Sequence, residues 1–158
     1  MGAVTAAGGA SPSSEQLAAL VGHVLPGGTT TIHPHRHWLT TDVIEGQALP
    51  DGLAHPLFVY LATDAMGVSW DEFFALCGAS AADGPMFGEH ETELVKPLRV
   101  GASYQVTGEI VAAERKSGRR AGVFDIVSYR LSLADDTGAV VATTTNSIVF
   151  PRRDLVAA

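Results

Sequence analysis

Two groups of side chains in this sequence have the types and spacings that acid–base or metal chemistry needs. Histidines stand at alternate positions 33, 35 and 37. His55 precedes a long apolar run in which Asp64, nine residues later, is the one carboxylate. An imidazole gains and loses a proton near neutral pH, and a carboxylate can accept a proton or orient a ring. His55 and Asp64 are therefore our candidate catalytic residues.

The histidine cluster allows two interpretations. The threonines and Ile32 favour an extended segment over residues 29–38, and a period of two would then place the three histidines on one face. Such a face could bind a metal. A complete metal site would also need a nearby glutamate, and the next one is as far away as Glu45. Pro34 also disturbs a regular strand. We therefore predict no metal, and a polar edge strand from which His37 reaches the substrate groove.

Asp64 also has two interpretations. A carboxylate on an otherwise apolar helix is costly to bury unless it is paired or protonated. It is either a functional group near a subunit seam or tunnel, or a structural carboxylate at a point where the helix reaches solvent. His55 is either catalytic or a histidine hydrogen-bonded at the start of the helix.

Charged residues gather at two further places. Four of the ten cations lie in residues 115–120. They are either a solvated turn that prevents aggregation or, at Arg119 and Arg120, a site for the phosphates of coenzyme A or for an acidic carrier protein. Glu89, Glu91 and Glu93 share one face of a predicted strand, which we expect to face solvent because three buried, unpaired carboxylates would be prohibitive.

Composition limits the class of protein. The chain has 158 residues, of which 46% are hydrophobic and 17% charged, as expected for one globular domain. A net charge of −7 argues against nucleic acid. Cys77 is the single cysteine and follows apolar residues, so it is predicted to be a buried, inert thiol. We expect a cytoplasmic protein without a membrane span, with a disordered tail over residues 1–12, a domain over 13–151 and a second tail over 152–158.

The first half of the chain must contain the elements that position these residues. A capping box, Ser13 with Gln16, predicts a helix over 14–24. Residues 42–52 form a predicted loop with a turn at its end. Pro56 suits the first position of a helix over 56–66 that is apolar on almost every side and should be buried all round. A shorter helix is predicted over 69–76, with Ser69 and Glu72 as its capping box.

The second half predicts antiparallel strands over 87–95, 103–113, 121–133 and 139–150, joined by short turns. A buried helix followed by such a meander indicates an α+β fold, in which an antiparallel sheet wraps around a central helix in the hot-dog arrangement. A single wrapped sheet leaves a free edge, so we expect two protomers to pair edge to edge as a dimer.

Three stretches resemble the MaoC-like family of acyl-thioester hydratases and dehydratases. They are the helix start Gly-Leu-Ala-His-Pro-Leu-Phe (52–58), the segment Glu-Thr-Glu-Leu-Val-Lys-Pro-Leu-Arg-Val-Gly (91–101), and the last two strands with their Asp-Asp-Thr-Gly hairpin. The resemblance covers residues 52–150. It implies the hot-dog fold and a substrate that is an acyl thioester of coenzyme A or of a carrier protein, with no cofactor.

The sequence departs from the family where catalysis takes place. Catalytic members carry Asp, then His five residues later, in a G-D-x-N-P-x-H stretch. Here Gln47 follows Asp42 by five residues, and Pro56 follows Asp51 by five. Pro56 also replaces the glycine whose N–H faces the substrate, and proline has no N–H. The segment Ala-His-Pro-Leu-Phe (54–58) resembles the non-catalytic half of two-domain and heterodimeric dehydratases, in which a partner brings the Asp/His pair.

This resemblance predicts a subunit that binds an acyl thioester for hydration of a 2-enoyl group or dehydration of a 3-hydroxyacyl group. The predicted partner is either a second copy or a catalytic MaoC-like subunit. The substrate-binding candidates are His37, Asp42, Pro56, Leu57, Tyr60, Arg119 and Arg120.

Two alternatives stay open. Small-acyl hot-dog thioesterases carry G-x-x-H-G-G with an Asp nine residues after the His. Gly52, His55 and Asp64 are similar to that pattern, although Pro56 and Leu57 replace its glycines. An acyl-CoA thioesterase using Asp64 is therefore the second hypothesis. A non-catalytic acyl-binding protein is the third.

Overall fold

The computed structural model describes residues 10–47 and 49–155. Five antiparallel strands form one sheet that curls around a central helical segment. The strands are β1 (Val24–Thr31), β2 (Met86–Leu94), β3 (Ser103–Gly118), β4 (Gly122–Ala134) and β5 (Val140–Pro151). The α+β prediction is confirmed, and the last four strands lie close to their predicted positions.

In the described residues, four helices accompany the sheet: α1 (Ser14–Ala18), α2 (Pro34–Val43), α3 (Leu57–Leu61) and α4 (Trp70–Leu76). Three short 3-10 turns occupy Pro50–Gly52, Ala62–Ala65 and Ala81–Asp83. No helix within the two described ranges is long and apolar enough to cross a membrane.

The strand order β1-β3-β4-β5-β2 differs from a simple meander. The predicted hairpins β3–β4 and β4–β5 are present. However, β2 crosses over to pair with β5, so that His90 lies opposite Asn146 and Leu94 opposite Ala142. The connection over residues 95–102 follows β2 and carries the chain across the sheet before β3 begins.

Two local predictions need correction. The capping box of Ser13 and Gln16 is present, but α1 ends at Ala18 rather than near residue 24. Residues 19–22 form turns, and Gly22 has a φ of +86°, which is outside the helical region, before the strand begins at Val24. Residues 34–43, predicted as extended or loop, form α2 with Pro34 in its first turn. Proline is well suited to this place because its fixed φ is helical and the first turn needs no N–H donor. The three histidines therefore do not share one strand face.

The central helical segment is formed by α3 and the 3-10 turn Ala62–Ala65. Its buried side consists of Phe58, Val59 and Ala62, continued by Met66. Tyr60 and Leu61 are half-buried, however, and Asp64 is exposed. The prediction of burial all round is therefore wrong for the single chain, because one side of the segment remains uncovered.

A close contact holds β1 against the end of this segment. The backbone N–H of Gly27 donates to the carbonyl of Met66 at 2.9 Å. Gly27 has a φ of +71°, and a Cβ there would lie 2.2 Å from the carbonyl oxygen of Val106. Glycine is required at this position by both its conformation and the lack of space.

A buried ion cluster of Asp125, Arg115 and Arg152 connects the sheet to the end of α4. Asp125 on β4 is fully buried and accepts from Arg115 at 2.7 Å and from Arg152 at 2.6 Å. Arg152 also donates to the carbonyls of Cys77 and Gly78, at the end of α4. This cluster ties β3, β4, α4 and the segment after β5 together.

Candidate functional site

The two loop stretches that carry the family resemblance lie side by side in the structure. The N–H of Ala54 donates to the carbonyl of Leu98 at 2.8 Å, and the N–H of Val100 donates to the carbonyl of Gly52 at 2.9 Å. Leu53 forms an isolated antiparallel bridge with Arg99. The Lys-Pro-Leu-Arg-Val-Gly stretch therefore positions the start of the central helix.

The structure brings two predicted site residues together. The backbone N–H of His55 donates to Nε2 of His37 at 3.1 Å. The ring of His37 also packs against Phe58, with 5.5 Å between ring centroids. The Nδ1 atom of His55 in turn accepts from the N–H of Leu57 at 3.1 Å. Each imidazole thus uses one unprotonated nitrogen as an acceptor within the chain. The contacts of His55 are those of a histidine that is hydrogen-bonded at the start of a helix.

The backbone donors at the helix start are all accounted for. The N–H of His55 donates to His37, and the N–H of Leu57 donates to the His55 ring. The N–H groups of Phe58 and Val59 donate to the carbonyls of His55 and Pro56, both at 3.0 Å. Pro56 has no N–H. A carbonyl oxygen placed here would find no free backbone donor from His55 to Val59, so this chain has no oxyanion site of the usual kind at this point.

Asp64 lies away from these groups. Its carboxylate accepts from Arg36 on α2 at 2.6 Å, and the two side chains are 66% and 40% exposed. Asp42 is exposed on the same helix, and its carboxylate makes no hydrogen bond or ion pair within the described part of the chain. The pattern of contacts therefore shows a surface ion pair between α2 and the central segment, and no shared site of His55 with either aspartate.

Tyr60 faces the edge strand β2, where sequence reasoning missed a histidine. Its ring packs edge-on against His90 at 5.1 Å and against Phe87 at 5.8 Å. Both nitrogens of the His90 ring have partners: Nδ1 lies 2.7 Å from Oδ1 of Asn146, and Nε2 lies 2.8 Å from Oγ1 of Thr92. The available signal was the position of Thr144 and Asn146, which alternate with β5 residues of the other face and so share one face with the apolar Ala142 and Ile148.

A buried polar group continues from His90 into the core. Asn146 and Tyr129 are both fully buried. Neither the Asn146 amide nitrogen nor the Tyr129 hydroxyl has a hydrogen-bond partner in the described structure. Burial raises the pKa of Tyr129 to about 12. The polar contacts of His90 thus continue through Asn146 to its cross-strand neighbour Tyr129 in the core.

The arginine-rich hairpin separates into structural and exposed residues. Arg115 is held by Asp125 and donates to the carbonyl of Pro12. Lys116 pairs with Glu114 at 3.2 Å. Arg119 and Arg120 are exposed in the turn between β3 and β4. This turn lies at the opposite end of β3 from the residues that pair with β1. In the described residues, no three His, Cys, Asp or Glu side chains come together as a metal site.

Comparison with known proteins supports the fold. No protein-family model matches the sequence, and no curated protein sequence is similar to it. A MaoC-like dehydratase superposes with a TM-score of 0.68 and 18% identity, over 87% of this chain and 44% of that one. This chain therefore spans less than half the length of that dehydratase.

Two heteromeric complexes from Mycobacterium tuberculosis are also similar in structure. The C-terminally truncated HadBC complex, a 3R-hydroxyacyl-ACP dehydratase, gives a TM-score of 0.64 at 15% identity, over 82% of this chain and 96% of the matched chain. The ChsH1-ChsH2 complex gives 0.63 at 12% identity, over 91% and 90%. At these identities the likeness shows the fold alone, and that fold is the hot-dog fold.

Proposed function

We propose that this protein is a MaoC-like hot-dog subunit that binds an acyl thioester, for hydration of a 2-enoyl group or dehydration of a 3-hydroxyacyl group, and that a partner subunit supplies the acid and base. The proposal rests on the hydrogen bonding of the backbone N–H groups at the start of the central helix. Every backbone N–H from His55 to Val59 is either used within the chain or, at Pro56, missing.

Hydration or dehydration needs two things that this site does not offer. A base and an acid must move the proton next to the thioester carbonyl and the proton of the water or hydroxyl. A donor must also stabilise the negative charge that develops on the carbonyl oxygen. Asp42 and Asp64 stand apart from His55, and the helix start has no free donor. We therefore assign the acid and the base to another chain.

What this chain offers is a surface for an acyl group. The side of the central segment that bears Tyr60 and Leu61 is only half-covered, and it faces the inner side of β2 at Phe87. Apolar surface of this kind is stabilised when a chain of methylene groups covers it. We assign Leu57 and Tyr60 to the acyl group, and Arg119 and Arg120 to the phosphates of coenzyme A or to an acidic carrier. Two of the similar structures are heteromeric complexes, which supports a partner subunit.

Two measurements on the purified chain test this function. We expect negligible hydration of crotonyl-CoA and of longer 2-enoyl-CoA, followed by the absorbance of the conjugated thioester. Turnover above about 1 per second, which lies within the ordinary enzyme range, would overturn the proposal.

The second measurement is binding. Isothermal titration should detect a long-chain acyl-CoA, and Tyr60→Ala should weaken its binding at least about fivefold through lost apolar contact. Val140→Ala is the matched control, because Val140 is 47% exposed at the start of β5 and outside the proposed surface. Absence of binding by the wild type, or equal losses in the two variants, would contradict the acyl-binding role.

A further inference from the structure

The two edges of the sheet differ in their ability to accept another strand. The edge strand β1 contains Pro26, and its pairing with β3 is interrupted by a bulge between Leu25 and Gly28. Proline and bulges are the usual means of protecting an edge from further pairing. The other edge strand, β2, has nine residues without proline, and its bulge between Phe87 and His90 leaves residues 90–94 in regular register with β5. β2 is therefore the open edge.

The inner side of β2 is exposed although it faces the core side of the sheet. Phe87 pairs with Ile148 and Leu94 with Ala142, both of which are buried on the inner face. Phe87 itself is 50% exposed and Leu94 40%. All nine residues of the strand are exposed. A strand added beyond β2, with the element packed beneath it, would cover these apolar side chains.

The outer side of β2 carries like charges. Glu91 and Glu93 pair with Thr145 and Thr143 and, with Arg130, line a shallow groove on the outer face of the sheet. Glu89 lines the neighbouring outer groove with Ser147. In the described residues, none of the three glutamates forms an ion pair. Arg130 instead donates to Thr145 at 3.2 Å.

Self-pairing through this edge would bring these carboxylates together. In an antiparallel pair, residues that lie opposite each other share one face of the sheet. Two copies of β2 related by a twofold axis would therefore place glutamate opposite or diagonal to glutamate in any register centred within the glutamate-bearing part of the strand. Like charges directly opposite each other are destabilising. The open edge thus favours pairing but disfavours a second copy of itself.

We propose that β2 is the docking edge for a different hot-dog chain, whose own edge strand carries lysine or arginine on its outer face and apolar residues on its inner face. This deepens the proposed function, because that chain is the subunit expected to bring the acid and base. It also replaces the open choice between homodimer and heterodimer with the heterodimer.

A charge-swapped copy of this chain can serve as the test partner. Sedimentation velocity at micromolar concentration and low salt should show wild type and the variant E89K/E91K/E93K as predominantly monomers when each is alone. Their equimolar mixture should form a heterodimer of about 33 kDa, twice the 16.5 kDa chain, that dissociates at about 1 M salt, where charges are screened within about 3 Å.

Neutral variants separate the local charge from the net charge. E89Q/E91Q/E93Q should self-associate at least about tenfold more tightly than wild type, because the repulsion is removed. E15Q/D71N/E109Q removes the same number of charges from exposed positions outside β2 and should remain monomeric. Circular dichroism checks that each variant is folded.

Three results would overturn the proposal: a tight wild-type homodimer, a mixture that fails to form the heterodimer, or equal self-association by the two neutral variants. No substrate is present in these experiments. A chain that pairs as described but fails to bind acyl-CoA would contradict the proposed function and leave this inference standing.

Discussion

The Nε2 atom of His37 accepts the backbone N–H of His55, which links α2 to the start of the central helix at 3.1 Å. The same ring packs on Phe58, in the first turn of that helix. His37 therefore occupies a backbone donor that an acyl carbonyl could otherwise use. Its contacts indicate a positioning role at the helix start rather than a role in proton transfer.

Removal of this acceptor should destabilise the fold. His37→Phe keeps an aromatic ring but leaves a part-buried N–H without a partner, which costs about 1–3 kcal/mol in the free energy of unfolding. His37→Ala should cost more, because the contact with Phe58 is also lost. Urea denaturation measures both. His35→Phe, at an exposed position on the same helix, is the control, and a cost for His37→Phe no larger than for this control would contradict the role.

Asp64→Asn separates the binding subunit from the thioesterase alternative. Asp64 is paired with Arg36 at the surface and lies apart from the contacts of His55. We expect no hydrolysis of acyl-CoA by wild type in a DTNB assay, nearly unchanged acyl-CoA affinity in the variant, and a stability loss of at most about 1 kcal/mol, as for exposed ion pairs.

One outcome of the DTNB assay would favour the thioesterase over the binding subunit. Rapid hydrolysis by wild type that falls about a hundredfold or more in Asp64→Asn, the usual loss for a general base, would promote the thioesterase. Arg36→Gln provides the matched control, because it breaks the same ion pair but leaves the carboxylate in place.

Asp125→Asn should be much more damaging than the loss of a surface charge. It leaves Arg152, which is 3% exposed, as a buried charge without its partner. Breaking one side of a buried pair costs about 3–5 kcal/mol. Asp136→Asn, in the exposed turn before β5, should change the urea midpoint little. Similar midpoints for the two variants would show that the buried cluster does not stabilise the domain.

The buried thiol of Cys77 should be protected from labelling reagents. It should also make the folded protein less stable as the pH rises above about 9. Burial raises the pKa of its thiol from 9.0 to about 12. Between these values the unfolded chain loses the thiol proton while the folded chain keeps it, so stability should fall as pH rises from about 9 towards about 12. Below pH 9 both states hold the proton and the effect vanishes.

The measurement compares wild type with Cys77→Ser. The variant should show a shallower loss of stability above pH 9, although the high pKa of Tyr129 contributes to the remaining slope. Native wild type should also react with DTNB only at the rate at which it unfolds, because a buried neutral thiol is a poor nucleophile. Fast labelling of the folded protein at pH 8 would contradict this environment for Cys77.

Local signals in the sequence predicted the elements whose structure depends on neighbours along the chain. The capping boxes at Ser13 and Ser69 are present with both of their reciprocal hydrogen bonds. The two hairpins that join β3, β4 and β5 follow from short turns, which bring adjacent strands together at little entropic cost. The α+β class and the buried state of Cys77 were also predicted correctly, because apolar periodicity records burial.

The sequence was less informative about α2. The threonines at 29–31 favour a strand and do lie in β1, whereas Pro34 fits either the edge of a strand or the first turn of a helix. Tertiary contacts favour the helix, since His37 and Arg36 on α2 both contact the central segment. Intrinsic preferences of this size are small enough for such contacts to override.

The candidate site itself was decided by tertiary structure. The sequence by itself determined that Pro56 has no N–H and that no aspartate precedes a histidine by five residues. Only the fold showed that the remaining N–H groups up to Val59 are occupied, that Asp64 pairs with Arg36, and that His90 meets Asn146 and Tyr60. These contacts join residues distant in the chain, and β2 meets β5 only after a crossover, so no local pattern records them.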